Sequence, residues 1–349
     1  MASPSIQDRS GSIAVIGSGA WGTTVAALLA REGRSCILWS RTKDVAEQIC
    51  TLHENPTYLP GVRLPDNLEV TTELSRAIEG CSVLLLAVPS PFMREVICSV
   101  SSSTVEHQVV LSLAKGLEPQ SNKRMTEVIS EEFKKIPTSR IGVLSGPNLA
   151  AEVALGMPAA AVIAIRDEDA ARYAQRLLTT KTFRLYTNDD VVGAELGGVV
   201  KNVIAIAVGA ILGLGLGENT KAWLLTRGVA EMARLGAALG AKPLTFAGLT
   251  GMGDLIATCS SPRSRNRQVG ERLAKGESIE EIVGSTRMVA EGVKTSKAVY
   301  DLALRLGVEL PITEQVVEVI YNRKPLPDAV RSLVSRELTT EWWGMTQPS

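Results

Sequence analysis

An apolar tetrapeptide, Ile13-Ala14-Val15-Ile16, runs straight into Gly17-Ser18-Gly19-Ala20-Trp21-Gly22. A bare G-x-G-x-x-G is unspecific, but its setting narrows what can fold here. Thr23 to Arg31 is rich in Ala and Leu, as a helix should be, and is stopped by Gly33. A second apolar run, Cys36-Ile37-Leu38-Trp39, follows at once. Glycines at these positions in a strand–helix–strand unit make a frame that receives a pyrophosphate. Gly17 would make the tight turn, Gly19 would let phosphates approach the backbone, and Gly22 would let helix and strand pack closely.

The corner after the second strand decides which dinucleotide fits. A carboxylate there accepts hydrogen bonds from ribose hydroxyls. This chain instead reads Ser40-Arg41-Thr42-Lys43, with no acid before Asp44. A guanidinium pairs with a 2′-phosphate that a carboxylate would repel, so NADP(H) is favoured and NAD(H) stays open. Arg41 and Lys43 as solvated surface charges, or Arg41 stacked on an adenine, are the competing readings.

Further apolar runs, Val83–Val88, Val109–Leu113 and Ile141–Leu144, each end at unusual residues: Pro89, Lys115-Gly116 and Ser145-Gly146-Pro147. Runs apolar on both faces suit central parallel strands covered by helices on each side, with ligands at the strands' carboxyl ends. Ala159–Ile165 and Thr182–Tyr186 read as later strands of the same sheet. From Glu195 onward the periodicity is helical. Asn219 is a candidate cap for a helix to Leu239, Ser264 for one to Ala274, and Glu291 opens one to Leu306. Two more are expected, from Thr313 after Pro311 and over about Pro327 to Leu338. The predicted fold is α/β: a doubly wound Rossmann-type domain over residues 1–192, then an all-helical domain over 193–349, with the site in the cleft between them.

Bulk properties exclude several classes. Lys plus Arg equals Asp plus Glu at 37 each, so no net field draws nucleic acid or an acidic membrane. Five cysteines without a C-x-x-C pair read as reduced thiols in a cytoplasmic protein. Met1 to Gly11 is polar and lacks the apolar core of a signal peptide. The longest nearly apolar run, Val203 to Gly217, falls short of the ~20 residues that span a bilayer, so no membrane insertion is expected.

Candidate chemistry is narrowed by what is missing. The chain has two histidines, His53 and His107, both in polar loop-like stretches, and no hydrolase elbow, Walker sequence or H-E-x-x-H. No metal is expected. Lys201 sits beside Asn202 inside the apolar stretch Leu196–Ile206, where an ammonium is costly unless a partner or ligand satisfies it. Desolvation also lowers a lysine pKa towards the range useful for acid–base work. Lys115 is a second odd lysine, just after a core strand. A snorkelling Lys201 and a simple loop Lys115 are the plain alternatives. Asp254, after Gly251-Met252-Gly253, could steady a lysine and a substrate hydroxyl, or only cap a helix. Ser264-Arg265-Asn266-Arg267 at a helix start is a natural phosphate seat, which points to a small phosphorylated carbonyl or alcohol.

In order and spacing these landmarks resemble the bacterial-type NAD(P)-dependent glycerol-3-phosphate dehydrogenases, from Ile13 to about Arg323. The matching stretches are Gly17–Gly22, Leu38–Arg41, Ala114-Lys115-Gly116, Ser145–Asn148, Val200-Lys201-Asn202, Gly253-Asp254-Leu255, Ser264–Arg267 and Val289–Gly292. The resemblance implies interconversion of dihydroxyacetone phosphate and glycerol 3-phosphate for phospholipid synthesis, with Lys201 as proton donor and acceptor. It implies substrate contacts at Lys115, Gly146, Asn148, Asp254, Ser264, Arg265 and Asn266, and roles for Asn202 and Thr258 beside the lysine. Ala20, Trp21, Arg41, Ala150, Val289 and Glu291 would line the cofactor site, with Lys115 and Arg265 close to it. A homodimer is implied too. The chain departs from the family at Ala20 and Asn148, where relatives commonly carry hydroxyl residues. A ketopantoate-type or 2-hydroxy-acid reductase would share the fingerprint but has no need of the phosphate seat. A dinucleotide-binding redox sensor would leave Lys201, Lys115 and Asp254 unexplained.

Overall fold

The computed structural model describes residues 11–285 and 291–341. They form two compact units. One comprises the described residues up to Ala114 with Lys123–Val191; the other comprises Lys115–Asn122 with the described residues from Val192 onward.

The first unit is built on eight strands: β1 (Ile13–Ile16), β2 (Cys36–Trp39), β3 (Glu69–Thr71), β4 (Val83–Leu86), β5 (Val109–Ser112), β6 (Ile141–Ser145), β7 (Ala159–Ala164) and β8 (Phe183–Asn188). They lie in the order β3-β2-β1-β4-β5-β6-β7-β8. Ile13 of β1 pairs in parallel with Cys36 on one side and Val83 on the other, so the strand order reverses at β1. Alternate residues of the central strands feed two cores. Val15, Leu85 and Leu111 pack on one face, and Ala14, Leu84 and Val110 on the other. Each buried Leu or Val contributes about 1.5–3 kcal/mol on leaving water, which explains why these runs carry no polar interruption.

Two features had no hydropathy signal. β3 is three residues long with Glu69 exposed, too short for a pattern. β7 pairs antiparallel with β6 and parallel with β8, an orientation that an apolar run does not encode. The first helix, Ala20–Arg31, starts three residues earlier than its composition suggested, because Gly19 already holds the extended cap conformation. It stops short of Gly33, whose left-handed backbone lets Gly33 and Arg34 donate to Ala30 and Leu29.

The second unit has no strand among its described residues. Its longer helices are Val191–Gly213, Glu218–Ala238, Arg265–Ala274, Glu291–Leu306, Pro311–Asn322 and Leu326–Val334. Asn219 is not a cap: Gly217 occupies that position and Asn219 lies inside the first turn. The 311–322 helix begins at Pro311 rather than Thr313, since a first-turn proline forfeits no hydrogen bond. Leu326–Val334 is shorter than the Pro327–Leu338 expected.

The helix Val191–Gly213 corrects the membrane argument. It extends well before Val203, and by length and composition alone it is one that could cross a bilayer. Val199, Val200, Val203 and Ile204 are nonetheless fully buried among other helices of the unit, as in a core helix.

Candidate active site

The first unit presents a nucleotide cradle made mainly of backbone. Gly17 has φ +114°, and a Cβ there would lie 2.6 Å from the Ala87 carbonyl that follows β4. A Cβ on Gly22 would fall 1.9 Å from the Gly17 carbonyl, so the third glycine is what lets the turn close on its helix. Gly19 faces open space, with no atom within 4 Å of its would-be Cβ. The 20–31 helix has no capping side chain and no acid in its first turn. Its N-terminal N–H groups and positive dipole end are thus left for an anion. This open, uncapped turn fits the pyrophosphate of a dinucleotide.

Beside the turn, Ser18 Oγ donates to Ser40 Oγ at 2.8 Å, tying the glycine turn to the corner after β2. Arg41 is exposed there, and its guanidinium carbon lies 5.6 Å from the ring centroid of Phe92. Phe92 was missed in the sequence. Its signal was an aromatic three residues past Pro89, at the end of a core strand. The half-exposed ring and the guanidinium offer two flat faces suited to a nucleobase. Trp21 packs edge-on against Phe183 at 5.8 Å, and its indole N–H is buried without a protein acceptor.

At the end of β6, Gly146 has φ +148°, and its would-be Cβ meets Ala161 Cα at 2.9 Å. Ser145 Oγ and both amide atoms of Asn148 are buried without a protein partner. Such orphans are rare in folded proteins and are costly unless something fills them. The Ala150 carbonyl accepts from Thr24 Oγ1 at 3.2 Å, anchoring this segment to the 20–31 helix.

The second unit assembles a different kind of site, made of side chains. Lys201 and Asp254 are 7% and 1% exposed. Lys201 Nζ donates to Asp254 Oδ1 at 2.7 Å and to Thr258 Oγ1 at 2.6 Å. Lys115 Nζ donates to the other oxygen, Asp254 Oδ2, at 2.6 Å. One carboxylate therefore holds two ammoniums in a nearly dry setting, where Coulomb energy rises as the local dielectric falls. Asp254 opens its helix after the wide i→i+5 turn Leu249–Gly253, but Gly253 holds the cap position and the carboxylate faces the lysines. Neither ammonium is left to solvent: Lys201 on its helix and Lys115 in the loop after β5 both donate to Asp254.

A chain of amides extends the cluster. Asn202 Nδ2 donates to the Lys115 carbonyl at 3.2 Å, Asn266 Nδ2 to Asn202 Oδ1 at 2.9 Å, and the Gly292 N–H to Asn266 Oδ1 at 3.1 Å. Ser264 caps its helix as expected, accepting from the Arg267 N–H at 3.4 Å. Arg265 is exposed at the same helix start. Arg267 is spent on structure, bonding Glu271 and the Ser260 carbonyl at 2.7 Å each. Glycines set the spacing between helices: a Cβ on Gly209 would lie 1.9 Å from the Arg267 carbonyl, and one on Gly270 2.0 Å from that of Ile206. The backbone contact fixes the 265–274 helix against the helix that carries Lys201. Val289 and the side chain of Glu291 lie outside the described residues.

Other candidates fall away. His53 ends the 43–52 helix in a left-handed conformation, 3.5 Å from Asp66. Burial pushes the Cys259 thiol, near Lys201, up to about 12, which disqualifies it as a nucleophile. Among the described residues no His, Cys, Asp and Glu side chains cluster as a metal site.

Known proteins match this arrangement along nearly the whole chain. The family described as NAD-dependent glycerol-3-phosphate dehydrogenase matches in both parts, its N-terminus over residues 12–171 and its C-terminus over 190–331. A protein of Corynebacterium glutamicum (strain R), named glycerol-3-phosphate dehydrogenase (NAD(P)+), is 49% identical over 331 residues, covering 95% of this chain and 99% of its own. The crystal structure of glycerol-3-phosphate dehydrogenase from Coxiella burnetii superposes with TM-score 0.88 at 35% identity, covering 94% of this chain and 99% of the other. A ketopantoate reductase of Ralstonia eutropha reaches TM-score 0.57 at 17% identity over 91% of this chain and 99% of its own, a likeness of fold alone. The chain belongs to the NAD-dependent glycerol-3-phosphate dehydrogenase family.

Proposed function

We propose that this protein catalyses the reversible reduction of dihydroxyacetone phosphate to sn-glycerol 3-phosphate with a nicotinamide dinucleotide, supplying glycerophospholipid synthesis. The observation that carries the reading is the pair of ammoniums sharing Asp254. A general acid must hold a proton within reach of the developing alkoxide, and a phosphorylated substrate needs positive charge beside it.

When bound, the reduced nicotinamide supplies the hydride to the carbonyl carbon. Lys201 is the group that gives its proton to the carbonyl oxygen and takes it back in the reverse reaction. Asp254 and Thr258 fix the direction of its Nζ. Lys115 adds the second positive charge, and the Asn202–Asn266 amides hold the backbone that carries it. Ser264, Arg265 and Asn266, at a helix N-terminus, hold the substrate phosphate. Gly146 and Asn148 are further substrate contacts, the unpaired Asn148 amide serving both as donor and acceptor. Because the clamps restrict the substrate to one pose, much of the acceleration comes from orientation.

Gly17, Gly19, Ala20, Trp21 and Gly22 receive the dinucleotide pyrophosphate, joined by Lys115, Ala150, Arg265, Val289 and Glu291 along the cofactor. Arg41 reads a 2′-phosphate, favouring NADPH over NADH. With Ala20 in place of a hydroxyl, the phosphates depend more on backbone N–H groups. A homodimer in the cytoplasm completes the proposal, on family resemblance and on five cysteines that are all free.

The test is loss of reduced-nicotinamide absorbance by the purified protein with dihydroxyacetone phosphate and with unphosphorylated dihydroxyacetone. Turnover restricted to the phosphorylated ketone is the expected result. Tight dinucleotide binding without turnover of either would reject the reading in favour of a sensor.

A further inference from the structure

Asn55 lies in the loop between the 43–52 helix and β3 and is completely buried. Such a side chain is expensive to enclose unless each polar atom is used. Here all are. Its Nδ2 donates to the Ser18 carbonyl and to Thr23 Oγ1, both at 2.9 Å, and its Oδ1 accepts from the Tyr58 N–H at 3.2 Å. Thr23 Oγ1 donates in turn to the same Ser18 carbonyl at 3.0 Å. The Ser18 oxygen is therefore the shared acceptor of a closed triangle, with its two lone pairs taken.

This peptide joins Ser18 to Gly19, the glycine that faces open space. In a trans peptide the C=O and N–H point in opposite directions, so an oxygen held inward turns the Gly19 N–H outward. Were the peptide to flip, a carbonyl oxygen would face an approaching pyrophosphate, exchanging a donor for a repulsive dipole. Glycine at that position makes the flip easy on steric grounds, because no side chain resists it. The Ser18 hydroxyl continues the network through Ser40 Oγ, which donates to the Thr42 carbonyl at 3.1 Å, so the residues either side of Arg41 are held as well.

We propose that Asn55 is a positioning residue for dinucleotide binding. Through Ser18 and Thr23 it locks the glycine turn with its amide donor directed at the pyrophosphate, and through Ser18–Ser40 it steadies the Arg41 corner. The inference rests on the dinucleotide-binding reading above. It assigns no contact between Asn55 and the cofactor.

Asn55→Asp keeps the shape but replaces the double donor by an acceptor set against the Ser18 oxygen. Thr23→Val removes the hydroxyl from the triangle at nearly constant volume, and it carries the test if the first variant does not fold. Equilibrium binding of NADPH and NADH by calorimetry is the primary readout, beside kcat and the KM for dihydroxyacetone phosphate at saturating cofactor, and a thermal melt. The expected result for Asn55→Asp is a Kd raised about tenfold or more for both dinucleotides, the scale of one charge-assisted hydrogen bond to phosphate. Thr23→Val should raise both by a smaller factor, and kcat and the ketone KM should stay within about twofold of the parent protein. Unchanged Kd values in folded variants would overturn the inference while leaving the function intact. So would a loss confined to kcat. Wild-type protein that binds neither dinucleotide would overturn the function and this inference together.

Discussion

The glycine turn and the lysine cluster solve opposite problems by opposite means. The turn must leave space and present N–H groups, so it is made by omission: three glycines, no capping side chain, no acid in the first helical turn. The cluster must concentrate charge where water is scarce, so it is made by convergence. Lys115, Lys201 and Asp254 come from three segments up to 139 residues apart and meet at 2.6–2.7 Å. A site built from backbone is contiguous in sequence and can be read as a motif. A site built from side chains is scattered, and each member looks merely odd until the chain folds.

The contrast predicts different failures. Lys201→Ala should strip the cluster of its proton donor and lower kcat by about 10²–10⁴-fold, the usual contribution of a general acid, while dinucleotide Kd hardly moves. Retention of more than about a tenth of the parent kcat in single-turnover measurements, a loss under ~1.4 kcal/mol, would remove Lys201 from that role.

Gly22→Ala attacks the other region by adding one methyl where 1.9 Å separates it from the Gly17 carbonyl. The turn must shift, at a cost of about 1–3 kcal/mol, and the dinucleotide Kd should rise about tenfold to a hundredfold. Because this damage is to binding, kcat at saturating cofactor should largely survive. Titration calorimetry and a saturation curve would separate the two.

A second buried carboxylate in the helical unit sharpens the comparison within that unit. Glu231 faces no ammonium. It accepts from the Ile312 N–H, and from the Thr313 N–H at 3.2 Å and hydroxyl at 2.9 Å, at the start of the 311–322 helix. Burial wins over those donors and over nearby Arg234, and raises its pKa from 4.5 to about 7. With the folded pKa above the unfolded one, the folded state holds the extra proton between these values. Stability should therefore fall by about 3 kcal/mol as pH rises from 4.5 to 7, then level off. Glu231→Gln should abolish that slope in chemical denaturation series; a slope that persists would point to other groups.

The smallest effect belongs to Arg41, exposed beside Phe92. Arg41→Glu should raise KM for NADPH about tenfold more than for NADH, since a carboxylate repels a 2′-phosphate that only one of them carries. Equal changes for both would show that Arg41 serves the shared adenosine and does not read the phosphate.

Local chemistry was enough for the strands β1, β4, β5 and β6, for the glycine turn and for the Ser264 helix cap. Each depends on neighbours in the chain: an unbroken apolar run, a glycine spacing, a hydroxyl ahead of a helix. Lys201 was also visible, because a lysine inside an apolar helix is too costly to leave without a purpose. Folding in three dimensions decided the rest. Nothing in Glu69–Thr71 marks it as a strand, and the antiparallel pairing of β7 with β6 joins segments whose apolar runs do not encode a direction. Residues 115–122 leave the sheet unit and pack with the helical one, which brings Lys115 to Asp254. Asn55 gave no pattern at all, and Phe92 only an aromatic shortly after a core strand. Periodicity records how each segment meets water. It does not record which distant partners share a carboxylate, a carbonyl or a ring, because those contacts exist only once separate segments have been buried together.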